Sequence, residues 1–280
     1  EIFYGISLWG NFPYNFGRSL SANHSVGFEL QIVNRDVYFE NPLPQSSIFS
    51  EIDKGKEGSI KCIYTFINKR GHKRNNFTPN QGYGVDISLQ KSSTSIWGKF
   101  DYTKLRFDSY TNNKLGPFSI FGRLRFEALD GDPPNQESLG IYDIPNFYIS
   151  GVSTPGREYM SPRGYRKSNS EYYQGNRAYM GTLEFRTPVL PISVFEALKV
   201  FKIGMPSIVL FSDFGSAWEN NFNSENIIIT SGAELRLSFN LISEPIFIFS
   251  YGWAQEIDMW FEKDFQIPKP YLQLSLINPF

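Results

Sequence analysis

The amino-acid sequence predicts an all-β protein, and it favours a transmembrane antiparallel β-barrel over a soluble β-sandwich. Apolar and polar residues alternate with a period of two along several segments, and helical periodicity is nearly absent. A soluble sandwich would bury the apolar face of each strand, whereas a membrane barrel turns that face to lipid and its polar face to a lumen. Three observations favour the barrel: charges of both signs inside strands, segments of roughly ten residues, which cross a bilayer when tilted, and aromatic residues near strand ends.

The first three alternating segments are residues 26–32, 60–66 and 82–90. Their apolar faces are Val26, Phe28, Leu30 and Ile32; Ile60, Cys62, Tyr64 and Phe66; and Tyr83, Val85, Ile87 and Leu89. Their polar faces are Glu29 and Gln31; Lys61 and Thr65; and Asp86, Ser88 and Gln90. Because successive side chains of a strand point to opposite faces, we expect each segment to form one amphipathic strand.

Two later segments, residues 118–128 and 226–240, repeat the pattern. The apolar sets are Ile120, Leu124 and Phe126, and then Ile227, Ile229, Ala233, Leu235, Leu237 and Phe239. The charged residues opposite them are Arg123, Arg125 and Glu127, and then Glu234 and Arg236. Both signs of charge lie deep inside these strands, which suits a polar lumen. The predicted lipid-facing band includes Ile229, Leu235, Leu237, Phe247 and Phe249.

The connections between strands differ in length. Long polar connections are predicted at residues 41–57, 131–175, 217–226 and 256–268, and short ones at residues 111–117 and 240–245. This alternation is typical of outer-membrane barrels, which have long external loops and short periplasmic turns. Residues 68–81 and 189–204 depart from it, and within the second of these, residues 194–201 are interpreted as one helical turn at the membrane surface.

Composition excludes several classes of function. The net charge of −1 gives no basic surface for nucleic acid. Cys62 is the only cysteine, so no internal disulfide can form, and His24 and His72 lack metal-ligand spacing. The sequence shows no nucleophile with a base, no phosphate-binding loop and no metal cluster. We therefore predict no catalytic residues, no metal and no cofactor, and expect that the protein is not an enzyme.

Four stretches in a fixed order resemble a known family. They are Ser-Pro-Arg-Gly-Tyr at residues 161–165, Leu-Glu-Phe-Arg-Thr-Pro at 183–188, Phe-Ser-Asp-Phe-Gly-Ser-Ala-Trp at 211–218, and the C-terminal residues 271–280. Their order and spacing resemble the outer-membrane assembly barrels, which are the BamA, TamA and FhaC group or bacterial surface antigen superfamily. The resemblance runs from about residue 58 to the C-terminus. Pro162 replaces the apolar residue that is usual in the family.

The resemblance implies a barrel of about sixteen strands, of which about eleven are visible in this chain. It places the loop containing Arg163 between the eleventh and twelfth strands of such a barrel. We therefore expect residues 1–280 to be the C-terminal portion of an outer-membrane β-barrel domain, with the first four or five strands and any N-terminal periplasmic domain absent. The visible strands are then expected not to close on themselves.

The resemblance also implies a site in the lumen. In the family, the long loop folds back into the barrel and its arginine meets acids on the two following strands; the matching residues here are Arg163, Glu184 and Asp213. The guanidinium offers a rigid fork of donors that suits carboxylates. Gly164 would let the loop turn sharply, and Tyr165 would pack against the wall.

A wet lumen would make each of these ion pairs worth roughly 0–1 kcal/mol. Because two acids would face one cation, further arginines are candidates to share the network: Arg123, Arg125, Arg186 and Arg236.

The last residues resemble the family's C-terminal signal, which ends in an aromatic residue. The alternation is carried by Leu272, Leu274, Leu276 and Phe280. Asn278 and Pro279 interrupt it, and since proline cannot donate a ladder hydrogen bond, strand pairing is expected to be weak there.

The leading functional interpretation is an insertase or translocase barrel in the bacterial outer membrane. The expected partners are the lipid bilayer, client outer-membrane or secreted proteins, and accessory assembly subunits, with no nucleic acid. Two alternatives remain open at this point: a barrel that anchors an N-terminal periplasmic or secreted module, and a passive pore. The family mechanism implied by the resemblance is a weak seam between the first and last strands that accepts a client strand by edge pairing.

Overall fold

The computed structural model describes most of the chain. It covers residues 2–15, 21–34, 53–70, 81–137, 139–141, 147–150, 162–163, 165, 173–188, 195–197, 201–203, 207–241, 246–256 and 270–277. None of these residues belongs to a helix long and apolar enough to cross a membrane.

Sixteen strands are formed by the described residues. In chain order they are β1 (Ile2–Asn15), β2 (Ser21–Asn34), β3 (Lys56–Arg70), β4 (Gln81–Ser92), β5 (Asp101–Leu115), β6 (Phe118–Asp132), β7 (Leu139–Ile141), β8 (Phe147–Ser150), β9 (Tyr173–Gly175), β10 (Arg177–Pro188), β11 (Phe195–Ala197), β12 (Phe201–Ile203), β13 (Ser207–Trp218), β14 (Ile228–Leu241), β15 (Ile246–Glu256) and β16 (Tyr271–Ile277). Three short 3₁₀ turns accompany them, at Thr94–Ile96, Asn135–Glu137 and Ser224–Asn226.

Eleven of these strands form one antiparallel meander. Their order is β1-β2-β3-β4-β5-β6-β10-β13-β14-β15-β16, so each strand pairs with the next long strand in the sequence. The tightest connection joins β5 to β6, where Leu115 pairs with Phe118 across a two-residue turn. Gly116 takes a φ of 62° there, and glycine at the first turn position is the requirement of a type II′ hairpin. The predicted all-β class and the predicted eleven strands are confirmed.

The two faces of the sheet differ in polarity. One outer row crosses four strands through the register partners Phe28, Cys62, Leu89 and Leu105, all of them exposed. The next row, one residue further along, is polar and consists of Glu29, Lys61, Gln90 and Lys104. Alternation along each strand therefore produces an apolar outer face and a charged inner face.

The predicted lipid-facing band lies on the outer face as far as it is described. Ile229 and Leu235 are exposed, and Leu237 and Phe249 are half-buried. The side chain of Phe247 lies outside the described residues.

The main apolar cluster lies on the inner side, where the long loop after β6 packs near the ends of β6, β10 and β13. Its buried members are Phe100, Tyr102, Leu129, Leu139, Ile141, Tyr165, Ala178, Ala217 and Ile228. The short strands β7 and β9 of the loop pair with each other and form a two-stranded sheet apart from the wall. The loop thus has its own apolar contact with the inner face, in addition to its polar ones.

The meander is an open sheet. Among the described residues, β1 pairs only with β2, whereas β16 pairs with β15 and, in parallel, with β8. Strands β1 and β16 do not pair with each other, which agrees with the expectation that the visible strands do not close on themselves. The edge of β16 is occupied by a segment of the long loop, with Ser275 opposite Ser150.

The interpretation of residues 194–201 as a helical turn is wrong where the structure describes them. Phe195–Ala197 is strand β11, and it pairs with β12. Strand β14 runs past the end of β13, whose first residue, Ser207, pairs with Arg236. Beyond that point the edge of β14 pairs with β12, with Phe201 opposite Leu241. Pairing with this edge outweighs the weak local preference for a helix.

Candidate functional site

Three neighbouring strands, β10, β13 and β14, carry one buried acid each on the inner face: Glu184, Asp213 and Glu234. The register arranges these acids around Phe211. Glu184 is the direct partner of Phe211 across the β10–β13 pair, and Asp213 follows Phe211 by two residues on the same face. Glu234 of β14 pairs with Val209 of β13, and Val209 precedes Phe211 by two residues. Period-two geometry therefore places three carboxylates around one ring.

Arg163 of the long loop lies in the middle of this group. Its Nε donates to Asp213 Oδ2 at 2.7 Å and its Nη2 donates to Asp213 Oδ1 at 2.8 Å, which is a bidentate pair. The backbone N–H of Arg163 also donates to Asp213 Oδ2, at 3.0 Å. Nη1 lies 3.0 Å from Glu184 Oε1 and 3.3 Å from Glu234 Oε1. The guanidinium carbon lies 3.6 Å from the centre of the Phe211 ring, within the range of a cation–π contact.

Two further arginines complete the network. Arg236 donates from Nη1 and Nη2 to the two carboxylate oxygens of Glu184, each at 3.1 Å, and also binds Glu234. Arg186 donates from Nε to Glu184 Oε2 at 2.7 Å. Three arginines therefore face three acids, and the formal charges balance. Of the four arginines considered as additional partners, Arg186 and Arg236 take part.

The other two arginines belong to a separate network on β5 and β6. Arg123 donates from Nε to Asp108 Oδ1 at 2.9 Å, and Arg125 donates from Nε to Asp108 Oδ2 at 3.0 Å. The register pairs Asp108 directly with Arg125, so this network joins neighbouring strands of the wall.

The site around Arg163 is buried, which corrects the expectation of a wet lumen. The side chain of Arg163 is 13% exposed, that of Asp213 is 0% exposed and that of Glu234 is 1% exposed. The sequence shows the polarity of these groups but not their burial. Burial alone would lower the pKa of the Arg163 guanidinium, but the carboxylates of Asp213 and Glu184 outweigh that effect and raise its pKa above the ordinary value. Arg163 therefore stays charged.

The rest of the loop motif is only partly described. Tyr165 is buried in the apolar cluster of the inner side, and its N–H donates to the carbonyl of Pro162 at 3.2 Å. Pro162 is also buried. Gly164 and Ser161 lie outside the described residues. The tip of the loop thus makes a polar contact through Arg163 and an apolar contact through Tyr165.

Comparison with known protein families identifies the architecture. The Omp85 superfamily domain matches residues 10–254, which is most of the sequence. The chain belongs to the Omp85 superfamily. Among curated protein sequences, none matches it.

Two solved structures show the same fold as this Omp85 chain. The structure of CdiB from Escherichia coli gives a TM-score of 0.54 at 13% identity, and the match covers 97% of this chain and 44% of CdiB. The structure of BamA from Haemophilus ducreyi lacking POTRA domains 1–3 gives a TM-score of 0.53 at 13% identity, and covers 96% of this chain and 53% of that one. This chain therefore spans about half the length of each. It is a transmembrane β-barrel protein of the bacterial outer membrane, as the resemblance implied.

Two partners in the Omp85 site are not evident from the sequence. Glu234 is recognisable as a charged residue inside a strand, but its place beside Arg163 depends on the register between β13 and β14. Tyr271, at the start of β16, donates from its hydroxyl to Glu234 Oε2 at 2.7 Å. A buried tyrosine hydroxyl usually requires such a partner, but nothing in the local sequence names which one.

The C-terminal motif of the Omp85 chain is placed along β16. Leu272, Leu274 and Leu276 pair by register with Tyr251, Phe249 and Phe247 of β15. Leu272 is half-buried. The side chains of Leu274 and Leu276 and the whole of Phe280 lie outside the described residues, so their role as a signal stays a prediction.

Proposed function

We propose that this chain forms the insertion-competent part of an outer-membrane barrel that helps client proteins to enter or cross the membrane. The observation that carries the proposal is the contact of Arg163 with acids on β10, β13 and β14. A loop held by a buried bidentate ion pair has a fixed position inside the wall. Such a loop is a positioning element, and we assign Arg163, Gly164 and Tyr165 to it, with Glu184 and Asp213 as its acidic partners.

The proposed mechanism uses the part of the β15 edge that β16 leaves unpaired, because the edge of β16 itself is occupied by β8. Strand β16 has seven residues, whereas the first strand of the sheet, β1, has fourteen. Its neighbour β15 is paired by β16 only over Ile246–Gly252. Among the described residues, positions 253–256 of β15 therefore have no strand partner on this side, and an incoming strand can pair with their backbone groups. The proposed role is therefore to present a strand edge to a client protein, without a chemical reaction.

The apolar cluster under the loop supports this function over a passive pore. Phe100, Tyr102 and Tyr165 pack together on the inner side, which is the side that a water-filled pore would need to keep open and polar. That residues 1–280 form only the C-terminal portion of a barrel of about sixteen strands stays a prediction, as do the client and any accessory subunits.

The test is a reconstitution. The full chain in liposomes is mixed with a urea-unfolded outer-membrane barrel client. The folded fraction of the client is measured as the fraction that stays folded when cold detergent is added. We expect the chain to accelerate client folding relative to empty liposomes, and Arg163→Ala to lose most of that acceleration. Equal folding rates with and without the chain, together with a large steady single-channel conductance, would favour the passive pore. Equal folding rates without conductance would favour an anchor for another module.

A further inference from the structure

The connection between β4 and β5 carries an unusually exposed tryptophan. Ser93 caps the short 3₁₀ turn by accepting a hydrogen bond on its Oγ from the N–H of Ser95 at 3.2 Å. The turn ends at Trp97, which has a φ of 62°, the only positive φ of a non-glycine residue in the part of the chain that the structure describes. Trp97 is 72% exposed. A bulky residue in this uncommon conformation, with most of its surface exposed, leaves its side chain available to a partner outside the chain.

Three lysines surround the base of this turn. The N–H of Lys99 donates to the carbonyl of Lys56 at 2.7 Å, and the Nζ of Lys99 donates to the carbonyl of Lys54 at 3.3 Å. All three lysines are exposed. Among the described residues none of the three has a carboxylate partner, whereas Lys61 and Lys104 do. Three lysines without a described carboxylate partner therefore lie close together at this turn.

The position of this group relative to the apolar outer face is fixed by the strands. Lys56 shares the outer face of β3 with exposed Ile60, and four residues of strand separate them by about 13 Å. The turn lies at the end of the sheet opposite the two-residue turn between β5 and β6. Since short turns of outer-membrane barrels are periplasmic, Trp97 and the lysines lie at the external end, just above the lipid-facing band.

Asp53 and Glu57 flank Lys54 and Lys56 in the chain, and both carboxylates are occupied by other groups. Asp53 Oδ2 accepts a hydrogen bond from the N–H of Asn135 at 2.8 Å, and Glu57 is buried and accepts one from the Tyr102 hydroxyl.

The other acids near the turn lie on β5 and β6. Asp101 binds Lys91, and Asp132 is the register partner of Asp101 on β6. Asp130 is also exposed on β6. These three carboxylates lie on β5 and β6, whereas Lys54 and Lys56 lie just before and at the start of β3. An anionic group is therefore expected to bind over the start of β3.

We propose that Lys54, Lys56, Lys99 and Trp97 bind the anionic phosphate headgroups of lipid in the external leaflet. Tryptophan is enriched at the membrane–water interface because its ring is amphipathic. Lysines next to a membrane surface attract anionic lipid, and phosphate oxygens accept hydrogen bonds from ammonium groups. This site lies on the outside of the wall and is separate from the loop contact around Arg163.

The test measures quenching of Trp97 in neutral-detergent micelles that contain brominated phosphatidylglycerol or brominated phosphatidylcholine. The difference in fluorescence between the wild-type chain and Trp97→Phe isolates Trp97 from the other four tryptophans. We expect phosphatidylglycerol to quench Trp97 at lower concentration than phosphatidylcholine. The triple variant Lys54→Gln/Lys56→Gln/Lys99→Gln should need about a hundredfold more phosphatidylglycerol, from about 1 kcal/mol for each lysine.

The matched control is Lys114→Gln, because Lys114 is an exposed lysine at the opposite end of β5; it should leave the quenching curve unchanged. Far-ultraviolet circular dichroism verifies that every variant is folded. Equal quenching by the two lipids, or an unchanged curve for the triple variant, would overturn the proposal. Displacement of the lipid by inorganic phosphate would assign the site to free phosphate, and displacement by polyglutamate at lower concentration than lipid would assign it to an acidic protein; either result would also overturn it.

Discussion

Replacing Arg163 by alanine tests the loop contact most directly. Asp213 has no exposed surface, and Arg163 donates three hydrogen bonds to it. Removing one member of a buried ion pair leaves a buried charge without compensation, which costs about 3–5 kcal/mol. In the variant, Glu184, Asp213 and Glu234 would face two arginines in place of three. We therefore expect Arg163→Ala to lower the free energy of unfolding by an amount in this range, well above that of an exposed pair.

The variant should also detach the loop from the sheet, while the strands of the sheet stay folded. Strand pairing within the meander does not involve Arg163, so circular dichroism should show nearly unchanged strand content. The rate of proteolytic cleavage within residues 142–172 should rise, because the ion pair no longer holds the loop to the wall. Arg163→Lys keeps the charge but loses the fork, so its loss should be intermediate, roughly 1.5–3 kcal/mol for the missing charged hydrogen bonds.

The matched control is Arg123→Ala. The side chain of Arg123 is 34% exposed, and Asp108 would keep Arg125 at 3.0 Å. We expect a loss of about 1–3 kcal/mol, because the buried Asp108 loses charged hydrogen bonds but keeps Arg125, and no change in loop cleavage. Unfolding by urea in detergent micelles gives the free energies, and limited proteolysis gives the loop readout. If Arg163→Ala and the Arg123→Ala control show the same free energy of unfolding and the same rate of loop cleavage, the reasoning from burial is refuted.

Four further substitutions have expected outcomes that follow from the packing. Gly232→Ala should destabilise the sheet by about 1–3 kcal/mol in urea unfolding, because the new Cβ would lie 2.1 Å from the carbonyl oxygen of Trp253. The control Gly122→Ala, whose new Cβ would have its nearest neighbour at 3.6 Å, should be nearly neutral in the same measurement. Leu210→Arg puts a charge on the exposed outer face and should lower folding stability in liposomes by about 2–4 kcal/mol; an unchanged stability would argue that this face does not contact lipid. Tyr271→Phe removes the hydrogen bond to Glu234 and should cost about 1–3 kcal/mol in urea unfolding, and a neutral result would show that Glu234 is satisfied without it.

The long strands were predictable from the local sequence because successive side chains of a strand alternate between two environments. Apolar and charged residues alternate in residues 118–128 and 226–240 because the inner face of each strand forms ion pairs and the outer face is exposed. The short strands β11 and β12 were not predictable in this way, since they depend on the free edge of β14. A pattern of two or three residues carries too little signal to outweigh such a contact.

The candidate site was predicted from resemblance more than from physics. Arg163, Glu184 and Asp213 were singled out by motif, and the structure brings them together. Glu234 and Tyr271 entered only through the register of distant strands, which no local pattern specifies. Burial was also not predictable, because polarity on one face of a strand does not show whether water or a loop covers that face.

The charged residues of β10 and β14 also restrict how these strands can assemble. Glu184 and Arg186, like Glu234 and Arg236, are two residues apart and so share a face. Sliding either strand by one residue against its neighbours would exchange its faces and turn both charges to the hydrocarbon of the membrane. An arginine facing lipid at mid-depth costs about 2–4 kcal/mol, and the slip would also leave the partners of these groups without counter-charge. The interior ion pairs therefore select the correct alignment of the strands during folding.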